Sequence, residues 1–344
     1  MKARGEELKQ WQEQWAPPHI YGNRAKHEAL QAFLGLSLDL EEAKRDSNDL
    51  HGALLDNEKY FDYMIQELSA SLVRAAGMHE GVVGVVQDGW SKQQIVMRVG
   101  KAFGRPFNPT NGLAQGCTLS LFVTNVLTTT WYNFISYRIP STRLGGYVDD
   151  RSLRHHRLTG LMDAVHLTQQ FDVDSGHKMN VVKTCFFSTS HKARKKLKGV
   201  KISGKKLVVP SSSKYLGLAV RGDKRRSSLV VGKAATHYRA RLDRIKKLPT
   251  GKKHKAKLAH TAGFTKMGYS VLSGFPTKCD LTRSRTRVIS TLWSEASRLR
   301  CAEAALALHL DPHKVDPLLA SACKVLQDIR RLMIKQPEIK QKDL

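Results

Sequence analysis

Two short apolar runs in this chain stop abruptly at aspartate. His51 to Leu55 ends at Asp56, and Leu144 to Val148 ends at the pair Asp149-Asp150. Runs of this length between polar residues suit strands, not helices, so a carboxylate is expected at the end of each of two strands. Side chains alternate between faces of a strand. Tyr147 and Asp149 therefore share one face, while Val148 and Asp150 share the other. With Val148 packed inward, Asp149 points into a cleft, where Asp56 meets it across a sheet; Asp150 sits at the hairpin tip. Carboxylates this close repel, raising a pKa unless cations neutralise them. They are hard oxygen ligands suited to Mg²⁺, with Mn²⁺ a possible substitute. Two such ions about 3.5–4 Å apart clamp the attacking and leaving oxygens of an in-line displacement.

Between the two acidic sites lies Gly112-Leu-Ala-Gln115-Gly116, a turn, followed by the long apolar stretch Leu119 to Tyr137. Its length favours helix, although Thr128 to Thr130 favour strand. Residues 1–50 read as helical, broken by Pro17-Pro18 and weakly interrupted at Gly35-Leu36-Ser37. Residues 62–77 have the spacing of one amphipathic helix, and Gln94 to Phe107 that of a hairpin about Gly100. A helix is expected over 158–172, ended by Gly176, then strands at Cys185 to Ser188 and within Val208 to Val220. Beyond Gly222 the pattern is helical, with final helices near 282–310 and 314–334.

Charge narrows the partner. Among 344 residues, 57 Lys and Arg against 30 Asp and Glu leave +27, which points to a polyanion, nucleic acid before an anionic membrane. Eight Lys or Arg lie within 191–206, and thirteen within 222–258 against two acidic residues. A solvated basic face is the plain reading; a track for phosphates is favoured because these runs follow the acidic pair. No apolar stretch reaches membrane-span length, and the mixed-charge start lacks a signal-peptide core. An intracellular, nuclear protein is expected. Five cysteines without a C-x-x-C pair argue for free thiols over disulfides or a zinc site.

The ordered motifs resemble those of reverse transcriptases of non-LTR (LINE-like) retrotransposons. Leu55 to Asp62 is similar to the family's Leu-Asp-x-x-Lys-Ala-Phe-Asp, with Tyr60 for Ala; Gly112 to Ser120 is similar to Gly-x-x-Gln-Gly-x-x-Leu-Ser-Pro, with Leu121 for Pro. The Tyr-x-Asp-Asp box falls at 147–150, Gly-x-x-x-Asn-x-x-Lys-Thr at Gly176 to Thr184, and Tyr-Leu-Gly at 215–217. Together they cover roughly residues 50–220.

The resemblance implies an α+β fold: a polymerase palm of antiparallel sheet and backing helices over 51–221, a short helical fingers remnant over 1–50, and a helical basic thumb and C-terminal region over 222–344. It implies RNA-directed DNA polymerisation with an RNA template, a DNA primer, deoxynucleoside triphosphates and two Mg²⁺ ions, and no membrane. Asp56, Asp149 and Asp150 become metal ligands, helped by the backbone carbonyl beside Asp56, and Lys183 a proton donor to the leaving pyrophosphate. Phe61 takes the steric-gate position, with core packing as its plain alternative. Gln115, Gly116 and Tyr147 line the nucleotide, and Tyr215, Leu216 and Gly217 form a primer grip or an ordinary buried strand. His19 to Arg24 resembles the tail of the fingers region, with Arg24 a candidate triphosphate contact; the region's earlier part is not visible. Nor is an endonuclease module or a zinc knuckle. Arg151, Arg154, His155, His156 and Arg157 suit a buried hairpin arm poorly. A catalytically inactive nucleic-acid-binding remnant of a mobile element is the competing expectation.

Overall fold

The computed structural model describes residues 2–223, 229–293, 301, 304–306 and 311–335. Two compact units divide between Ser211 and Ser212.

The first unit is α+β. Helices α1 (Lys2–Trp15) and α2 (Ala29–Arg45) precede β1 (His51–Leu55), a single turn α3 (Tyr60–Tyr63), α4 (Gln66–Ala75) and α5 (Glu80–Ser91). The hairpin β2 (Arg98–Val99) and β3 (Ala102–Phe103) leads to α6 (Thr118–Arg138), β4 (Arg143–Tyr147), β5 (Asp150–His155), α7 (Leu158–Asp174) and β6 (Cys185–Ser188). Helix α8 (His191–Gly199) and the hairpin β7 (Lys201–Ile202) with β8 (Lys205–Lys206) complete it.

The central sheet is antiparallel in the order β4-β5-β1-β6. Both edges are partly covered, Ile20 bridging Gly146 beside β4 and Val208 bridging Cys185 beside β6, which shortens the open strand edges. Helices α6 and α7 bring Phe122, Trp131, Ile135, Leu161 and Val165 into one apolar cluster with Ala53, Leu153 and Phe186 of the sheet. The indole N–H of Trp131 donates to Thr168 Oγ1 at 3.0 Å, satisfying the polar atom that burial would otherwise strand.

Several expectations are corrected in detail. Gly35 does not interrupt α2, because Leu30, Phe33, Leu36 and Leu40 keep an unbroken buried stripe through it. The single helix expected over 62–77 is two: Met64 and Ile65 are extended, and Ile65 bridges Asn111 of the glycine-rich loop. The unpromising arm β5 is buried along its length from Arg151 to His155. Its charges are matched from both sides of the sheet. Arg151 donates to both carboxylate oxygens of Asp172 on α7 at 2.8 Å, with both side chains nearly fully enclosed. Arg154 pairs with Asp39 on α2 at 2.7 Å, and His155 meets Ser141 Oγ at 2.8 Å. In the basic run 191–206, Lys192, Lys195, Lys196 and Lys198 are exposed while Ala193 and Leu197 are buried, an arrangement open to solvent or to phosphates alike.

The second unit opens with the hairpin β9 (Ser213–Tyr215) and β10 (Leu218–Val220), and its other described elements are helical: α9 (Leu229–Lys246), α10 (Lys252–Leu258), a π-helical turn at Ala259–Phe264, α11 (Thr265–Ser270) and α12 (Lys278–Trp293). Shorter and longer helices at Pro312–Val315 and Pro317–Lys335 follow. Tyr238, Leu242, Phe264, Met267, Val288 and Leu292 form its core. The stretch 294–310, expected to prolong the helix beginning near 282, lies largely outside the described residues. Among the described residues the five cysteines are unbridged, and no helix is long and apolar enough to cross a membrane.

Candidate active site

Asp56 follows the last residue of β1. The pairing of β1 with β5 sets His51 against His155 and Leu55 against Arg151, so one further step of the same register puts Asp56 opposite Asp150. Sequence alternation misplaced the pair here. Strand β4 ends at Tyr147, which pairs with Asp150, so Val148 and Asp149 form the two-residue hairpin turn. Asp150 is the carboxylate in the sheet, and Asp149 stands exposed at the tip.

That turn is strained. Val148 has φ +58°, a left-handed conformation rare for a β-branched residue and usually left to glycine at the first position of such a turn. The strain is held from below. Tyr21 N–H donates to Gly146 O at 2.8 Å, and Gly146 N–H to His19 O at 3.0 Å. A Cβ on Gly22 would lie 2.6 Å from Val148 N, so only glycine permits this approach. Asn125 on α6 donates to Gly22 O at 2.6 Å and to Gln12 Oε1 at 2.9 Å, and all of this is buried. Thr128 Oγ1 donates to Val148 O at 3.4 Å. Gly22, Asn125 and Thr128, which support the tip, were not singled out from sequence as site residues. A polar Asn125 within the apolar run 119–137 was the available signal.

The Gly176–Thr184 motif closes on the other side of Asp56. Asn180 N–H donates to Asp56 O at 2.8 Å, Asp56 N–H to Thr184 Oγ1 at 3.2 Å, and Glu58 N–H to Lys178 O at 2.9 Å. Lys183 Nζ stands 3.9 Å from Asp56 Oδ2, with its side chain largely in solvent. The glycine-rich loop docks one step away. Leu113 N–H donates to Phe61 O at 2.9 Å, Gly112 N–H to Met64 O at 2.8 Å, and Gln66 Nε2 to Gly112 O at 3.0 Å. Gly112 and Gly116 take φ +95° and +86°, which explains glycine at both positions. Gln115 and Gly116 are exposed, whereas Phe61 is partly buried, edge-on to Tyr60 at 5.7 Å. Tyr60 itself fills core space and packs on His177 at 4.5 Å, burial pushing its phenol up to about 12.

The carboxylates feel one another. Burial, then Asp149 and Asp56, raise the Asp150 carboxyl to about 6. Burial also raises Asp56, with Asp149 adding to the rise and Lys183 opposing it. Asp56 Oδ2 is buried without a hydrogen-bond partner. Among the described residues, no group of three or more His, Cys, Asp or Glu side chains forms a ready metal cage. Mg²⁺ needs none: it commonly takes one or two carboxylates and completes its shell with water and substrate phosphates. An orphaned carboxylate oxygen within a repelling acidic cluster therefore fits a divalent cation.

One expected residue is engaged otherwise, and three belong to the second unit. Arg24, the candidate triphosphate contact, is buried against Glu13 at 2.7 Å and donates to Pro17 O and Ile20 O, a structural role that leaves no free guanidinium edge for phosphate. Tyr215, Leu216 and Gly217 lie in the second unit, where Leu216 and Gly217, at φ +49° and +86°, turn β9 into β10. Tyr269 O–H donates to Leu216 O at 2.9 Å and locks that turn.

No family model matches the chain, and no curated protein matches it. Among solved structures it is similar to apo telomerase from Candida tropicalis, at 13% identity over 98% of this chain and 58% of that one, with TM-score 0.49. The same organism's telomerase with a TWJ fragment of telomeric RNA gives 12% identity over 100% and 55%, TM-score 0.48. Telomerase from Candida albicans with that fragment gives 12% over 86% and 52%, TM-score 0.47. The chain thus spans little more than half the length of these solved chains.

Proposed function

We propose that this chain is an RNA-directed DNA polymerase, a reverse transcriptase of the retrotransposon kind acting in the nucleus. The observation that carries this reading is the meeting of four separated motifs: Asp56 across from Asp150, Asp149 at the adjoining tip, Lys183 3.9 Å from Asp56, and the Gly112 loop hydrogen-bonded to Phe61.

In this reading Asp56, Asp149 and Asp150 would hold two Mg²⁺ ions, or Mn²⁺, which would supply positive charge against the phosphates and lower the pKa of the primer 3′-hydroxyl. The chain's own groups do the rest. Asp56, just beyond β1, and Asp150, on the adjacent β5, keep the acidic cluster in a fixed place, so that the primer end is positioned before reaction. Lys183, exposed beside Asp56, gives its proton to the departing pyrophosphate. Phe61 bars a ribose 2′-hydroxyl, and Gln115, Gly116 and Tyr147 seat the deoxynucleotide. Tyr215, Leu216 and Gly217 grip the primer, and the exposed lysines of α8 screen template phosphates.

The test is extension of oligo(dT) on poly(rA) with Mg²⁺ or Mn²⁺. The parent extends and Asp149→Asn does not; equal extension by both overturns the reading. A binder without catalysis is the second reading, favoured by the engagement of Arg24 with Glu13. It predicts steeply salt-dependent RNA binding and no extension.

A further inference from the structure

Between Asp88 and Asp149 the chain carries no acidic residue. The part of this stretch that stands clear of the fold is the β2–β3 hairpin, where every residue from 96 to 108 is exposed. Its exposure contradicts its composition. Met97 is 63% exposed, Val99 80% and Phe103 68%. Isolated two-stranded hairpins are marginal in water, and large apolar groups left in solvent mark interaction sites.

The two faces differ. Arg98 pairs with Phe103 across the hairpin, so these share a face, and by alternation Val96 and Arg105 join them. The Arg98 guanidinium sits 5.4 Å from the Phe103 ring centroid and donates to Gly100 O at 2.9 Å. Gly100, at φ +62°, makes the tight turn that brings the two strands together. A planar cation is thus pinned beside an open aromatic face, with Lys101 and Arg105 flanking it. Unopposed positive charge beside an accessible ring matches a nucleic-acid strand whose bases are unpaired, since phosphates meet the cations and a base meets the ring.

We infer that the β2–β3 hairpin is a stacking platform for a single-stranded segment of nucleic acid, with Phe103 and Arg98 receiving a base and Lys101 and Arg105 its phosphates. The inference adds a surface to the nucleic-acid reading above but does not depend on polymerisation, since binding is read without extension.

The experiment uses the full chain carrying Asp149→Asn, with fluorescein-labelled oligo(rU) and a blunt RNA duplex as probes in anisotropy titrations across salt. Phe103→Ala weakens oligo(rU) on the order of 10-fold and duplex little, while Phe103→Trp retains oligo(rU) affinity. Lys101→Gln reduces the slope of log affinity against log salt by about 0.7. Arg98→Lys keeps that slope but loses affinity severalfold, because an ammonium cannot stack. Equal oligo(rU) affinity for the parent and Phe103→Ala overturns the inference. So does equal weakening on strand and duplex, or a Phe103→Ala effect confined to self-association in sedimentation, which would make the hairpin a protein contact. Failure of the parent to extend a primer, with these differences intact, removes only the polymerase reading.

Discussion

Strand β5 and the β2–β3 hairpin are opposites in composition and in fate. β5 carries Arg151, Arg154 and His155 and is a buried strand of the sheet; the hairpin carries Val96, Met97, Val99 and Phe103 and lies in solvent. The contrast teaches that burial follows from available partners as much as from hydropathy. Asp172 and Asp39 reach β5 from α7 and α2, so its cations enter the interior already matched. Nothing among the described residues packs over the hairpin tip, so its apolar groups remain outside.

The sharpest way to break this comparison is to remove one partner of the buried pair. Asp172→Ala strands the Arg151 charge and should cost about 3–5 kcal/mol in urea unfolding. Combining Arg151→Met with Asp172→Leu should restore most of that loss; if it does not, the pair contributes more than charge matching.

A smaller effect is expected at the tip that β5 shares with β4. Val148→Gly releases a left-handed β-branched residue and should stabilise by about 1–2 kcal/mol. It should also lower primer extension, because Asp149 loses its fixed turn. Gain of stability with undiminished extension would show that the strain serves no positional purpose.

Next comes the titration of Asp150. Its folded-state carboxyl lies near 6 against an ordinary 3.8. The folded form therefore holds this proton more tightly than the unfolded form, and stability falls as pH rises from about 4 through 6. Above that range the ionised group is a penalty. Asp150→Asn should then raise stability at pH 8 by on the order of 1 kcal/mol after solvent screening, with the difference gone near pH 4. Mn²⁺ should narrow the gap at pH 8 by stabilising the parent, and Mn²⁺ affinity should rise through pH 6. Thermal melts at both pH values check the sign.

The smallest change is expected at the other pole of the comparison. Phe103→Ala should alter folding stability by less than about 0.5 kcal/mol, because the ring is open to solvent. A loss of 2 kcal/mol or more would mean the hairpin is a folding element.

Much of the local structure around the candidate site was legible beforehand. The runs ending at Asp56 and at the aspartate pair became strands, and Leu119 to Tyr137 became one helix despite its threonines. Gly176 ended α7 at φ +79°. What alternation could not give was the position of each aspartate. A two-residue turn at Val148-Asp149 put Asp150, not Asp149, in the sheet, because Val148 adopts a conformation its side chain disfavours. The break at Met64-Ile65 was equally hidden, since it exists to receive Asn111 and Gly112 from nearly fifty residues on. Arg24 read as an available cation until Glu13 enclosed it.

The sequence by itself determined the positive charge, the acidic strand ends and the glycines whose backbones must turn left-handed, because these depend on residue type and near neighbours. The tertiary structure alone decided that three arginine- and histidine-bearing positions belong inside, that Gly22 and Asn125 prop a strained valine, and that a phenylalanine stays out. Each of those outcomes depends on a counter-charge, a hydrogen-bond partner or a packing surface supplied from a distant segment, and local periodicity carries no record of which segment arrives.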